Sequence, residues 1–366
     1  MLIAVNATAI SPGGGLTILN QFLNSASLTE HNYVCFVPHD ANLSNYNNVK
    51  FIRVQVKSWI KRIWWDSYGL KRFLEKNSIV VEKLVSLQNT TVNVNVQQIV
   101  YLHQPIPFVA KEIIRKCKSI KLYAYYYFYK IFIFMFSRSN TIFVVQTEWM
   151  QRSLLKCNVA SSQVFVLKPN IFLPEVFCGE LSNSAFVNSS WANLDLTPKL
   201  IYPASTVPYK NHFIVLEAIK ILRDMYPDLV FSFQVTFSKG EYFEFDNFVN
   251  TNYLSNYIDY LGFLSADEIY LRYIHAHALL FPSYIESYGL PLVESALLGK
   301  KILASDLPYA RDVIKNYEGV DFIGFDDVQS WVNAILAIVT NPKCHFPVLT
   351  YENELVWADF FKLFKK

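Results

Sequence analysis

Cysteine is scarce in this chain. Five occur in 366 residues, at Cys35, Cys117, Cys157, Cys178 and Cys344, and none forms a C-x-x-C pair. A scattered, odd-numbered set builds neither a disulfide framework nor a zinc site, and fits a reducing cytosol. Asp-x-Asp is absent, which argues against a diphosphate held through a metal ion. H-E-x-x-H, the P-loop and G-x-S-x-G are also missing, so three familiar hydrolytic and phosphate-binding chemistries find no support. The net charge is only +3, with no basic tail and no RNA-binding motif, so no nucleic acid partner is expected. Leu122 to Phe136 is apolar and aromatic but contains Lys130, and it falls short of the roughly 20 residues that span a bilayer. The N-terminus has no positive leader and reads as a strand, so no signal peptide is expected.

What is present points to two sizeable cores. The length exceeds one ordinary domain, and 52% of residues are hydrophobic. Short apolar runs alternate with helical periodicity along the chain. Leu2–Asn6, Val34–Val37, Phe51–Val56, Ile79–Val81, Leu84–Leu87, Ile99–Leu102, Thr141–Gln146 and Val164–Leu167 read as strands of a first half. Leu200–Ala204, Val230–Phe237, Ile258–Ser265 (strand and following loop), Ala278–Phe281, Lys301–Ala304 and Val320–Gly324 read as strands of a second half. This alternation predicts α/β architecture with two doubly wound, Rossmann-like sheets. Boundaries are expected at 1–175, a connection over 176–198, 199–350, and a terminal helix over 351–366.

The most informative stretch runs from Phe281 to Gly299. An apolar strand ends at Phe281, a loop carries Glu286 and Gly289, and Pro291 suits the first turn of a helix. The spacing places Glu294 in that same first turn, eight residues after Glu286. A helix N-terminus has unpaired N–H groups and partial positive charge, which suits a phosphate. A carboxylate accepts hydrogen bonds only and can take two from a sugar diol.

Three other places stand out. Gly13, Gly14 and Gly15 lie between a strand and a helix, where backbone can approach a ligand, although the pattern is not G-x-G-x-x-G. His103 ends a buried strand, where open α/β sheets place ligands, and opens the string His103-Gln-Pro-Ile-Pro-Phe108. Lys210 leads into a helix after the first strand of the second half. Two basic-aromatic stretches, Trp59–Leu74 and Lys111–Phe136, read either as packed helices with solvated basic faces or as surfaces that meet an anionic membrane.

Order, spacing and secondary structure around Glu286 and Glu294 resemble the E-x7-E signature of the retaining glycosyltransferases of family 4. The resemblance covers nearly the whole chain and is strongest from Leu200 to Asp312. It implies the GT-B fold, two Rossmann-like domains facing across a cleft. It implies transfer of a sugar from a nucleotide-diphosphate donor to a lipid-linked saccharide acceptor, in surface polysaccharide assembly of the lipopolysaccharide or O-antigen kind. The enzyme would be cytoplasmic and peripheral on the inner face of the cell membrane, with no cofactor and no metal.

The same resemblance implies roles for individual residues. Glu286 would orient the donor sugar and Glu294 would hold the ribose. Lys210 would lie on the diphosphate, and His103 near the transferred sugar. Gly289, Leu290, Ser287 and Tyr288 would border the phosphates, Gly262 and Phe263 the base, and Gly14 and Gly15 the donor from the first domain. One position departs from the pattern. The family usually carries an Arg five residues before the Lys, and here that residue is Ser205. Two other readings stay open, a nucleotide-sugar epimerase on the same two-domain architecture and an inactive nucleotide-sugar-binding module, which Ser205 favours.

Overall fold

Short apolar runs buried on both faces make parallel sheets, and two such sheets form the frame of a computed structural model of the chain. It describes residues 1–10, 14–56, 58–171, 197–342, 345–350 and 356–365. The chain divides into two compact units. The first holds 1–114, 120–170 and 354–366, and the second holds 115–119 and 171–353. The expected connection over 176–198 lies almost wholly outside the described residues.

The first unit contains β1 (Leu2–Asn6), β2 (Asn32–Pro38), β3 (Val49–Val54), β4 (Lys83–Ser86), β5 (Gln97–Leu102), β6 (Ile142–Val145) and β7 (Val164–Val166). They form a seven-stranded sheet in the order β3-β2-β1-β4-β5-β6-β7, and every described pairing is parallel. Ile79–Val81 is not a strand; Ser78 before it takes a left-handed turn, φ 52°. The helices are α1 (Gly14–Ala26), α2 (Trp59–Trp64), α3 (Leu70–Lys76), α4 (Lys111–Lys116), α5 (Ile120–Phe134) and α6 (Glu148–Leu155).

Alternation along β1 feeds two cores. Ile3 and Val5 face one side with Phe22 and Tyr101, while Ala4 faces the other with Phe36, Trp65 and Leu70. A C-terminal helix and the 3-10 turn after it complete the first core through Trp357, Phe360 and Phe364. Trp357 stacks on Tyr101 with ring centroids 5.5 Å apart.

The stretch from Trp59 to Lys76 is continuous helix, but Trp65–Gly69 is π-helical. A side chain at Gly69 would meet the Trp64 and Trp65 rings at 2.7 Å, so only glycine fits there. The extra residue in the turn rotates Trp65 and Asp66 into the core and leaves Trp64 and Ile60 outside. The packed reading of this stretch thus holds on its buried side, and Ile60 and Trp64 are exposed on the other.

The second unit contains β8 (Lys199–Tyr202), β9 (Ser232–Val235), β10 (Ile258–Tyr260), β11 (Ala278–Phe281), β12 (Lys301–Ser305) and β13 (Val320–Ile323). Their order is β10-β9-β8-β11-β12-β13, again parallel throughout. The helices are α7 (His212–Met225), α8 (Phe243–Thr251), α9 (Ala266–His275), α10 (Leu290–Leu297), α11 (Pro308–Ile314) and α12 (Val328–Thr340), and α13 (Val356–Lys362) is the helix that joins the first unit. In each sheet the strand order reverses beside the unit's first strand, at β1/β4 and at β8/β11. Such a reversal opens a crevice at the carboxyl ends of the strands, where α/β proteins place ligands.

Candidate functional site

At the β8/β11 reversal two loops are stapled together. The loop after β8 ends in a 3-10 turn, Pro208–Lys210, followed by Asn211 in a left-handed conformation, φ 55°. Asn211 donates its side-chain amide to the carbonyls of Pro282, at 3.2 Å, and Phe325, at 3.1 Å. The Tyr284 N–H donates to the Tyr209 carbonyl at 2.8 Å. Tyr202 donates to the Lys210 carbonyl at 2.8 Å, and Tyr309 to the Ser283 carbonyl at 2.7 Å. With both backbones pinned, Lys210 Nζ meets Glu286 Oε1 at 2.5 Å, and the two side chains are only 16% and 15% exposed. Little water screens the pair, so its Coulomb attraction exceeds that of a surface ion pair.

Glu294 sits differently. It is the fifth residue of α10, so it lies in the second turn and not in the first. The expectation overlooked that Gly289 is the N-cap, which places Leu290 first and Pro291 second. Glu294 accepts from the Tyr273 phenol at 3.1 Å. Burial pushes its carboxyl up to about 7, and the Tyr273 hydrogen bond only partly opposes this. Burial and the Glu294 charge in turn raise both Tyr273 and Tyr270.

Gly289 takes φ 85°, and a side chain there would press on Leu292 at 3.1 Å. No side chain caps α10. Pro291 has no N–H and the Leu292 N–H donates to the Gly289 carbonyl at 3.0 Å, so the Leu290 N–H is the donor this first turn offers an anion. Ser287 and Tyr288 belong to the same loop, Tyr288 being buried. Gly262, φ 69°, follows β10 at the edge of the sheet, and Phe263 beside it is 93% exposed. Ser205 is exposed in the loop after β8. The structure therefore joins Lys210 and Glu286 directly and places Glu294 on the helix behind their loop. Gly262 and Phe263 stand apart, at the end of the edge strand β10.

At the β1/β4 reversal of the first unit, Gly14 and Gly15 open α1. A side chain at Gly15 would make only ordinary contact, 3.5 Å from Ile10. Gly13 lies outside the described residues. His103 follows β5, half-buried, with its Nε2 3.2 Å from the Asn89 amide nitrogen. Burial, then the Arg62 charge, lowers its pKa to about 4, so the ring is neutral.

Next to it lies a polar cluster that motif reading missed. Buried Asp66 accepts from Asn6 at 2.9 Å, Gln88 at 2.8 Å and Thr90 at 2.8 Å. Burial raises its carboxyl to about 6, against the pull of Arg62 and of these three donors. The one signal was an acid in the middle of an aromatic stretch, Trp64-Trp-Asp-Ser-Tyr68.

Among the described residues no helix is long and apolar enough to cross a membrane, and no three His, Cys, Asp or Glu converge as a metal would require. On α5, Leu122, Tyr129 and Ile133 are buried while Tyr127, Phe128 and Ile131 are exposed. Of the basic residues beside it, Lys116 is engaged with Asp326 at 2.6 Å, and so is not a free cation for lipid.

Comparison with known proteins bears on the family and the fold. Residues 190–347 match the family described as glycosyl transferases group 1. A stretch of 107 residues is 29% identical to the O-antigen chain mannosyltransferase RfbU of Salmonella typhimurium. That match spans 29% of this chain and 29% of the mannosyltransferase. Among solved structures, sucrose-phosphate synthase from Thermosynechococcus elongatus superposes with a TM-score of 0.70 at 15% identity, over 100% of this chain and 98% of that one. WaaG, a glycosyltransferase involved in lipopolysaccharide biosynthesis, gives a TM-score of 0.68 at 15% identity, over 98% of this chain and 93% of that one. HepE from Anabaena, solved with UDP and glucose, gives 0.63 at 12% identity, over 94% and 91%.

Proposed function

We propose, from the premise that this chain belongs to the group 1 glycosyl transferases and has their GT-B fold, that it moves a sugar from a nucleotide-diphosphate donor to a saccharide acceptor, with retention at the anomeric carbon. The observation that carries this reading is the Lys210–Glu286 pair at the β8/β11 reversal, with the N-terminus of α10, uncapped by any side chain, following in the same loop.

Breaking the donor's glycosidic bond builds charge on the leaving diphosphate. Lys210 and the Leu290 N–H at the start of α10 are fixed donors for that charge, and fixed donors stabilise a transition state without reorganising. Glu286 accepts from hydroxyls of the donor sugar and orients it. Glu294, ionised, accepts both hydroxyls of the ribose. Phe263, at the end of the edge strand, has a free ring face for the base. The acceptor oxygen attacks the anomeric carbon on the face the phosphate leaves. Its proton passes to a phosphate oxygen, so no protein base is needed.

The finer part of the reading is a lipid-linked acceptor in surface polysaccharide assembly, met at the cytoplasmic face of the membrane. It draws support from the O-antigen and lipopolysaccharide relatives and from exposed Trp64, Ile60, Phe128 and Ile131 on α2 and α5. Rings and apolar side chains beside cations suit an interfacial surface.

One observation favours an inactive binding module, namely Ser205 in place of an arginine. A panel of UDP-, GDP- and dTDP-sugars tests both. A thermal shift identifies the donor that binds. Release of nucleoside diphosphate in the presence of acceptor supports transfer, and binding without release supports the module.

A further inference from the structure

His103 has a defined tautomer, and the reason lies in Asn89. The Asn89 side-chain oxygen accepts the His103 backbone N–H at 2.6 Å. Its nitrogen therefore faces His103 Nε2, at 3.2 Å. An amide nitrogen only donates, so Nε2 must accept and the ring proton sits on Nδ1. Nδ1 is buried and has no hydrogen-bond partner among the described residues. The ring thus holds a neutral N–H in place with nothing to receive it.

Asn89 needs support to do this, because its backbone is left-handed, φ 69°. Both of its neighbours are tied to one carboxylate. Gln88 donates to Asp66 Oδ1 and Thr90 to Asp66 Oδ2, each at 2.8 Å. The Gln88 side-chain oxygen also receives Thr8 and the Ala9 N–H, each at 3.0 Å. Arg62 donates to the Gln88 carbonyl and, at 3.0 Å, to the Tyr129 hydroxyl. A buried charge with three donors and a nearby cation makes a rigid hub.

We infer that Asp66 is a positioning residue. Through Gln88 and Thr90 it holds Asn89 so that His103 presents its Nδ1–H to a substrate oxygen, either a hydroxyl or a phosphoryl oxygen. This rests on the transferase reading only for the identity of that oxygen; the tautomer does not depend on it.

Nitrogen-15 NMR of the imidazoles in the full-length protein tests the inference, with His103→Gln assigning the signal among seven histidines. The wild-type ring should be protonated at Nδ1. Asn89→Asp replaces the donor by an acceptor of the same shape and should move the proton to Nε2. Asp66→Leu should give a mixture of tautomers. Asp66→Asn should keep the wild-type pattern, since its oxygen can accept from Asn6 and Gln88 while its amide donates to the Thr90 hydroxyl.

Turnover with donor and acceptor should fall roughly tenfold in Asn89→Asp, the scale of one neutral hydrogen bond, with nucleotide affinity unchanged. An Nε2–H tautomer in the wild type, or a signal that Asn89→Asp or Asp66→Leu leaves unmoved, overturns the inference. If the tautomer is as described but no nucleotide-sugar binds, the transferase reading fails and the positioning assignment stands.

Discussion

The two sheets reverse their strand order in the same way, yet the two reversals are furnished from different parts of the chain. At β8/β11 the polar groups come from two short segments, Tyr202–Asn211 and Pro282–Glu294, joined by backbone staples. At β1/β4 they come from Asn6, Asp66, Gln88, Asn89, Thr90 and His103, with Asp66 contributed by a π-helical turn far from either strand. The charge balance differs as well. Lys210 and Glu286 compensate each other at 2.5 Å, whereas Asp66 is held mainly by neutral donors and rises to about 6. A site built from adjacent residues leaves a motif, and a site gathered from distant ones leaves only single polar residues among apolar neighbours.

This contrast can be broken most forcefully at Lys210. Lys210→Ala should lower kcat/KM for the donor on the order of a hundredfold, with kcat falling as well as KM rising, because the diphosphate charge grows in the transition state. It also leaves Glu286 unpaired, which should cost about 3 kcal/mol of stability by urea unfolding. Asp66→Leu in the other unit should cost a similar amount, since three donors lose their acceptor. It should leave donor KM unchanged. Equal losses of donor KM in both variants would erase the distinction between the two sites.

Acidity sharpens it further. Glu294 titrates near 7 in the folded chain, above the ordinary carboxyl range. A raised carboxyl pKa means that the folded state holds the proton more tightly. Stability from this group is therefore complete below the ordinary pKa and is lost as pH rises from there through about 7. With Glu294 in its proposed role, nucleotide binding should run the opposite way, because the ionised group accepts both ribose hydroxyls and the protonated one does not. Affinity should weaken as pH falls through about 7, and Glu294→Gln should flatten the profile. Asp66 should contribute the same sign of stability change over a window ending near 6, with no effect on nucleotide binding.

The smallest effect belongs to the surface. Trp64, Phe128 and Lys121 are exposed. Changing all three to Ser should reduce sedimentation with anionic vesicles at low salt, by about 1 kcal/mol for the cation and more for the rings. Nucleotide affinity should be unaffected. Unaltered sedimentation would assign these side chains to some other contact.

Most of the fold was legible in the sequence, because parallel strands write themselves as short apolar runs. Ala278–Phe281 matched in full, and the expected strand Lys301–Ala304 differs from Lys301–Ser305 by one residue. Ile79–Val81 failed because a left-handed Ser78 turns the chain where composition suggested continuation. The Glu286, Gly289 and Glu294 spacing was legible, but the turn that holds Glu294 was not, since a glycine N-cap shifts the start of the helix. Tyr202, Asn211, Tyr273 and Tyr309 were illegible, because each acts through a contact many residues away. The π-helical turn that buries Asp66 was hidden for a related reason. Helical spacing alone cannot reveal an inserted residue, and Gly69 marks it only once the Trp64 and Trp65 rings are in place.

The central claim is that the β8/β11 reversal binds a nucleotide diphosphate with divided labour between its two glutamates. Calorimetric titration of the matching nucleoside diphosphate into wild type, Glu294→Gln and Glu286→Gln at about pH 8 tests it most directly. Glu294→Gln should lose about 1–3 kcal/mol of binding free energy. Glu286→Gln should bind at least as tightly as wild type, because Lys210 is then released to the phosphates, and it should nonetheless be nearly inactive in sugar transfer. Wild-type affinity in Glu294→Gln, or full transfer activity in Glu286→Gln, would contradict the account.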